Sequence, residues 1–292
     1  MKGTIYDAPW VPKFIVIGAV KGATTWVQTQ LQANPRVFLP DPEPHFFSRD
    51  FDLGLEHYHR FFTKAPPGAL VGEKSADYLA DPMVPERVSG LLPEVRLVAL
   101  LRDPVARAYS DYKMLFRRGE VTGIPADYLA NPDNPHPRFL NDGLYGRHLK
   151  RWLDWFPREA LLMFLFEDLA TNSREVVEKV SRHIGVPPVF DPELARRKQN
   201  NSEERLIPRT LRTVLAPLKG AVEPLRGNPV FEFARDKLAR PIAYPPLAPE
   251  LERWMRDFYL KDIEKLESLV GINLDRWKEP DCSNGLQLTR KG

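Results

Sequence analysis

The sequence predicts an α/β fold: a P-loop-like parallel sheet flanked by helices on both faces, with helical and loop insertions. Three features predict it. Apolar runs of strand length alternate with segments of helix length, the pattern of a parallel sheet covered on both sides. The first run, Phe14-Ile-Val-Ile-Gly18, passes through a glycine-bearing turn into a helix opening on paired threonines. A second run, Arg96-Leu-Val-Ala-Leu-Leu101, ends on Arg102-Asp-Pro104, where proline suits the first turn of another helix.

In chain order, residues 14–19 read as a strand. Residues 24–33 read as a helix that stops at Asn34-Pro35, because proline disfavours helical geometry in the residue before it. Residues 37–39 form a short strand and 70–73 another, followed by a turn over 75–78. A helix over 82–92 carries proline near its start. The strand over 96–101 leads into a helix from about 104 to 118. Residues 161–165 form a strand, 173–184 an amphipathic helix ending at Gly185, and 249–269 a long late helix. Twenty-nine prolines, about twice the usual share, cluster in 125–138 and 241–249 and favour long ordered loops there. No internal repeat or linker divides the chain. Residues 1–292 are therefore read as one domain with a core of about 12–278 and insertions around 113–145 and 203–248.

A formal net charge of +3 suits anionic ligands and is too weak to argue for nucleic acid. The single cysteine, Cys282, excludes an intrachain disulfide and a cysteine-based metal site. The N-terminus lacks the apolar core of a secretion signal, and no apolar stretch nears 18 residues, so a soluble cytoplasmic protein without a membrane span is expected.

Four segments carry the chemistry. The turn Gly18-Ala-Val-Lys-Gly-Ala-Thr-Thr25 places Lys21 beside the unpaired N–H groups of a helix start, an anion cradle. Its lysine precedes the second glycine, whereas the nucleotidase loop GxxxxGK[ST] has it after, next to a magnesium-binding hydroxyl. The alternative is a buried strand followed by a tight turn with an exposed lysine. Arg102 follows a strand end, where ligands gather in parallel sheets, and Ser110 lies about 9 Å further along the next helix. Together they suit a second phosphate; the alternative is a local Arg102–Asp103 ion pair and a solvated serine. In Pro42-Glu-Pro-His-Phe-Phe47, Glu43 and His45 are alternate residues of an extended segment and share a face. Phe46 and Phe47 anchor it in the core, so Glu43 is a candidate general base against an apolar wall. Glu43 also reads as a loop carboxylate, and His45 as a structural histidine. Lys74, just past a strand end, is a second cation over the cradle, or else a partner of Glu73 or Asp77.

In this order the segments resemble the sulfotransferases that use 3′-phosphoadenosine 5′-phosphosulfate (PAPS), in particular the heparan sulfate 3-O- and N-sulfotransferase branch with its bacterial relatives. The resemblance rests on Gly18-Ala-Val-Lys-Gly-Ala-Thr-Thr25, Glu43-Pro-His-Phe-Phe47, Gly72-Glu-Lys-Ser-Ala-Asp-Tyr78 and Leu101-Arg-Asp-Pro-Val-Ala-Arg-Ala-Tyr-Ser-Asp-Tyr112. Gln199-Asn-Asn-Ser-Glu-Glu-Arg205 and Leu266-Glu-Ser-Leu-Val-Gly-Ile-Asn-Leu-Asp-Arg-Trp277 are fainter echoes. The resemblance implies a metal-independent, in-line sulfuryl transfer from PAPS. It implies that Lys21, Gly22, Ala23, Thr24, Thr25 and Trp26 hold the 5′-phosphosulfate, with Lys21 toward the bridging oxygen. Arg102 and Ser110 would bind the 3′-phosphate, and Asn201, Ser202 and Arg205 belong with the donor site. Glu43 would take the acceptor's proton, Lys74 would steady the transferring sulfonate, and His45 would assist on the acceptor side.

The chain departs from the glycosaminoglycan enzymes at Ser48, where they carry an acidic residue, at Thr25, and in lacking a cysteine-bridged loop and a membrane anchor. The resemblance therefore implies the donor more firmly than the acceptor, expected to be a hydroxyl, or an amine, of a glycan, glycolipid or natural product. Arg117, Arg118, Arg138 and Arg147 are candidate acceptor contacts. Two rivals are a P-loop nucleotide-dependent kinase, against which the lysine position and an arginine at the second strand end both count, and a non-catalytic nucleotide-binding protein, against which Glu43 and Lys21 both count.

Overall fold

The computed structural model describes residues 8–196 and 242–279. Five strands, β1 (Phe14–Gly18), β2 (Val37–Phe38), β3 (Leu70–Lys74), β4 (Arg96–Leu101) and β5 (Leu161–Leu165), pair in parallel in the order β2-β3-β1-β4-β5. The described helices are α1 (Thr24–Gln32), α2 (Gly54–His59), α3 (Val84–Leu91), α4 (Pro104–Arg118), α5 (Ala126–Leu129), α6 (Arg138–Asn141), α7 (Tyr145–Leu153), α8 (Phe166–Ile184), α9 (Pro192–Arg196), α10 (Pro249–Val270) and α11 (Asp275–Lys278).

The strands are mainly apolar because both sheet faces are covered; the exceptions are Arg96 at the start of β4 and Glu73 and Lys74 at the end of β3. Phe14, Val16, Val98, Leu100 and Phe164 pack with Val27 and Leu31 of α1 and Val176, Val180 and Ile184 of α8. The alternate residues Ile15, Ile17, Leu97, Ala99 and Leu101 pack with Val88 of α3, Val105, Ala108 and Tyr112 of α4, Leu149 and Trp152 of α7, and Met255 and Tyr259 of α10. Each Val, Leu, Ile, Phe or Met side chain among these contributes about 1.5–3 kcal/mol on burial.

The strand order positions the site. The chain leaves β1 toward β2 and β3, whereas it leaves β4 toward β5. Neighbouring strands whose connections run in opposite directions open a crevice between their C-terminal ends, where doubly wound sheets bind ligands. Lys21 and Arg102 follow those two ends.

Three expectations need correction. Lys74 is the last residue of β3 and not a residue beyond it. The helix expected over 173–184 begins at Phe166, directly after β5. Glu167 and Asp168 in its first turn complement the helix dipole. The helix breaks at Asn172 (φ −132°, ψ 40°), which makes Ser173 resemble a helix start. Of the insertion expected over 113–145, residues 113–118 simply continue α4, and α5 and α6 occupy part of the rest.

Candidate active site

The cradle is set by how the first turn lies on β4. Ala19 N–H donates to Leu100 O (2.8 Å) and Gly22 N–H to Ala19 O (2.9 Å). A Cβ on Gly22 would stand 2.3 Å from Leu100 O, so only glycine lets the turn approach this closely. Lys21 and Ala23 both take left-handed backbone geometry at φ 69°. The α1 N-terminus has no side-chain cap and no acidic residue in its first turn, and Trp26 N–H is the first to reach back, to Ala23 O (3.0 Å). The N–H groups of residues 23–25 are those a helix start leaves unpaired. Thr24 is buried and Thr25 half-buried. The Trp26 indole turns away, its Nε1 donating to Ala195 O of α9 at 3.4 Å.

Lys21 reaches from this turn to α4, where its Nζ meets the Met114 thioether at 3.8 Å. Burial is the main cause that brings its pKa down to about 8; Asp111 opposes this, and Arg102, Arg117 and Arg118 add to it. Asp111 is committed elsewhere, bound by Arg138 through Nη2 (2.7 Å) and Nε (3.0 Å).

Arg102 lies over the Phe166 ring, 4.5 Å from its centroid, and forms no ion pair among the described residues. Burial holds its pKa below the usual guanidinium value. The alternative pairing with Asp103 is not formed. Asp103 Oδ1 accepts from Ala106 N–H (2.9 Å) to cap α4, and its Oδ2 accepts from Arg256 Nη1 (3.0 Å). Asp103 N–H donates to Glu167 Oε1 (3.1 Å). The loop is thus held by its neighbours, and the Arg102 guanidinium is left uncommitted. Ser110 is half-buried on α4.

The third strand end brings Glu43 and His45 onto β3. Residues 74–78 bind 43–48 one after another. Lys74 Nζ meets Glu43 Oε1 at 2.5 Å, Ala76 N–H donates to Glu43 Oε2 (3.0 Å), and Ser75 Oγ accepts from His45 N–H (3.0 Å). Asp77 Oδ1 lies 2.7 Å from His45 Nδ1, and Tyr78 Oη accepts from Phe47 N–H (3.1 Å). His45 takes left-handed geometry (φ 50°), and a π-helical turn over Phe46–Asp50 then drives Phe46 and Phe47 into the core. The segment is therefore not extended, yet Glu43 and His45 still converge, Oε2 and Nε2 lying 3.9 Å apart. Nor is Glu43 set against an apolar wall. Its side chain is 27 % exposed and anchored by Lys74, itself 2 % exposed, which pairs with neither Glu73 nor Asp77.

The three strand ends adjoin. Ser75 N–H donates to Val16 O (3.2 Å) and Leu79 N–H to Ile17 O (2.8 Å). Ala76 O sits so close to Gly18 that a Cβ there would be 2.8 Å away. The Glu43–Lys74 pair therefore stands beside the end of β1, with the Lys21 turn next and Arg102 on the far side.

Sequence reasoning weighed Asp77 and Glu73 only as partners for Lys74. Asp77 instead fixes His45, Ser48 and Arg49 at once, and Glu73 is fully buried with Tyr58 Oη donating to it at 2.6 Å. Burial raises the Glu73 pKa to about 7 against the lowering effect of Tyr58, Tyr78 and His45. Asn201, Ser202 and Arg205 lie outside the described residues.

An anion cradle at a topological switch point, with cations and a carboxylate at neighbouring strand ends, suits a ligand carrying more than one anionic group. The chain belongs to the sulfotransferase domain family, which matches residues 11–205. It is 29% identical over 181 residues to mouse heparan sulfate glucosamine 3-O-sulfotransferase 6, covering 60% of this chain and 52% of that protein. It is 28% identical over 291 residues to human bifunctional heparan sulfate N-deacetylase/N-sulfotransferase 2, covering 91% of this chain and 31% of that one. The chain spans about half the length, or less, of the curated relatives it matches. A sulfotransferase from Alicyclobacillus acidocaldarius shares the fold, with a TM-score of 0.69 at 23% identity over 92% of this chain and 99% of that one. Among the described residues, no helix is long and apolar enough to cross a membrane.

Proposed function

We propose that this protein is a PAPS-dependent sulfotransferase that moves a sulfuryl group to a hydroxyl, with an amine as the alternative acceptor. The observation that carries this reading is the uncommitted Arg102 across the switch point from the bare α1 N-terminus and Lys21. The residues fit a donor with anionic groups at both ends. Lys21 and the N–H groups of residues 23–25 face the 5′ end, and Arg102 with Ser110 takes the 3′-phosphate. An ordinary ATP site has no use for that second pair.

PAPS supplies an activated sulfonate whose leaving group gains negative charge as the bond breaks. Lys21 and Lys74 place positive charge there, in the manner of preorganised electrostatic stabilisation. Glu43, oriented by Lys74 and Ala76 N–H, accepts the proton of the incoming hydroxyl. Catalysis rests on positioning and on these cations rather than on a divalent ion, so activity is expected to survive a chelator. The curated relatives are named for heparan sulfate glucosamine, which supports a carbohydrate acceptor. A glycan, glycolipid or sugar-like natural product is the acceptor class, and one domain over 1–292, working in the cytoplasm, completes the reading.

Thermal shift in chelator with adenosine 3′,5′-bisphosphate against ADP and AMP tests it. Ligand bound only to the native state stabilises it by about 2.7 kcal/mol at 100 times Kd, so the bisphosphate should raise Tm by several degrees and AMP far less. Equal shifts for all three would refute donor specificity. Arg102→Ala is expected to weaken bisphosphate binding about 10–100-fold, the range for losing a charged hydrogen bond, and to erase the preference over AMP. Calorimetric titration reads both. pH adds a further check. The free protein loses the Lys21 proton near pH 8 and the anion needs the charged form. Bisphosphate affinity should therefore peak near pH 7, fall up to about tenfold per unit above 8 as Lys21 loses its proton, and fall below about pH 6 as the ligand's own phosphates gain one. Lys21→Arg should remove the alkaline fall, since arginine keeps its proton.

A further inference from the structure

His45 and Asp77 form a pair whose geometry goes beyond holding a loop in place. A carboxylate is acceptor-only, so the 2.7 Å contact between Asp77 Oδ1 and His45 Nδ1 requires the proton on Nδ1. In the neutral ring the other nitrogen then carries a lone pair, and it lies 3.9 Å from Glu43 Oε2, too far for a hydrogen bond between them. The second Asp77 oxygen is claimed separately: Oδ2 accepts from Ser48 Oγ (3.0 Å), from Arg49 Nε (3.2 Å) and lies 3.1 Å from Arg49 Nη2. Burial pushes the Asp77 pKa up, but His45, Arg49 and Ser48 together hold it below its ordinary value, which keeps it ionised. The charged groups facing the ring are Asp77 and Glu43, with Lys74 behind Glu43, Arg49 behind Asp77, and the Glu73 carboxyl on β3 within electrostatic range.

We infer that Asp77 is a positioning residue that locks His45 as its Nδ1–H tautomer, so that the lone pair of Nε2 and the carboxylate of Glu43 together face the acceptor group. Two acceptors side by side suit a group with two donors, such as neighbouring hydroxyls of a sugar or an amine. This deepens the proposed function and rests on it only for the consequence in turnover; the tautomer itself is a property of the free protein.

Asp77→Asn makes a sharp test because Arg49 is donor-only and needs an acceptor at Oδ2, where Ser48 Oγ also donates although His45 O is within its reach at 3.2 Å. They hold the amide oxygen there, which turns the amide NH2 toward His45 Nδ1. The imidazole must then move its proton to Nε2, where it points at Glu43 and competes for the base. The experiment is 15N NMR of the histidine ring in the full chain at neutral pH without ligand, with His45 assigned by its loss in His45→Gln. The wild type is expected to carry the proton on Nδ1 and Asp77→Asn on Nε2. Asp77→Asn/Ser48→Ala/Arg49→Ala, whose amide is free to turn, should return it to Nδ1. A proton on Nε2 in the wild type overturns the inference even if the variants do not fold, and so does an unchanged tautomer in Asp77→Asn. In turnover with PAPS, Asp77→Asn should lower kcat by about 10²–10⁴-fold, as a wrong tautomer does in a hydrolase triad. The KM for PAPS should stay within about twofold, and the triple variant should recover part of the loss. A wild type that shows the Nδ1 tautomer without transferring a sulfuryl group would contradict the proposed function and leave the tautomer lock standing.

Discussion

Replacing Glu43 by glutamine is expected to lower kcat by about 10²–10⁴-fold, the span for losing a positioned general base, while adenosine 3′,5′-bisphosphate binds within about twofold of wild type. The two effects separate because Glu43 is bound at the end of β3, whereas Lys21, Arg102 and the α1 N-terminus lie beyond the ends of β1 and β4. Both carboxylate oxygens are used, Oε1 by Lys74 and Oε2 by Ala76 N–H. An amide satisfies only one of these donors. The fixed backbone N–H claims its oxygen, which leaves the buried Lys74 ammonium facing an NH2 group. Losing a partner of a buried pair costs about 3–5 kcal/mol, but Glu43 is partly open to water and the cost is correspondingly smaller. The variant should therefore melt a few degrees lower than wild type, and its activity should be read well below that transition. Normal turnover in a folded Glu43→Gln protein would remove Glu43 from the chemistry.

Lys21→Ala is expected to lower kcat by about 10²–10³-fold, as when one donor to a developing oxyanion is removed, and to weaken the bisphosphate as well. The Met114 thioether at 3.8 Å is a weak partner for an ammonium, so the fold has little stake in this lysine. Burying an ammonium beside arginines costs stability, and burial brings its pKa down to about 8. Removal should therefore leave Tm unchanged or raise it in the absence of ligand, and the alkaline fall in affinity should vanish with the lysine. Single-turnover kinetics with PAPS and scanning calorimetry measure the two halves of this expectation. A lower Tm with undiminished turnover would make Lys21 a structural residue.

Much of the fold was legible because its strands are buried on both faces and read as unbroken apolar runs. The bounds of β4 and β5 follow their runs residue for residue, and β1 ends one residue early at Gly18. The first part of α8 was not legible. No loop separates it from β5, and the break at Asn172 imitates a start. In the site, Lys21 and Arg102 were visible because their positions follow directly from local strand-turn-helix sequence. The partners of Glu43 and His45 were not, since Lys74, Ala76 and Asp77 lie about thirty residues away, and the β2–β3 pairing is what sets the two segments side by side. Asp77 carried no local signal at all; a short polar residue in a turn reads the same whether it is solvated or, as here, orients a histidine. The aromatic pair Phe46-Phe47 did signal an anchored segment, but not the left-handed His45 that turns it inward.

One crevice that holds a nucleotide by both ends is the basis of the proposed transfer. A crystal structure of the full chain with adenosine 3′,5′-bisphosphate tests this most directly. The 5′-phosphate should lie against Lys21 and the N–H groups of residues 23–25, and the 3′-phosphate against Arg102 and Ser110. Density for the nucleotide anywhere else, or in this crevice with Arg102 still stacked on Phe166 and touching no phosphate, would contradict it.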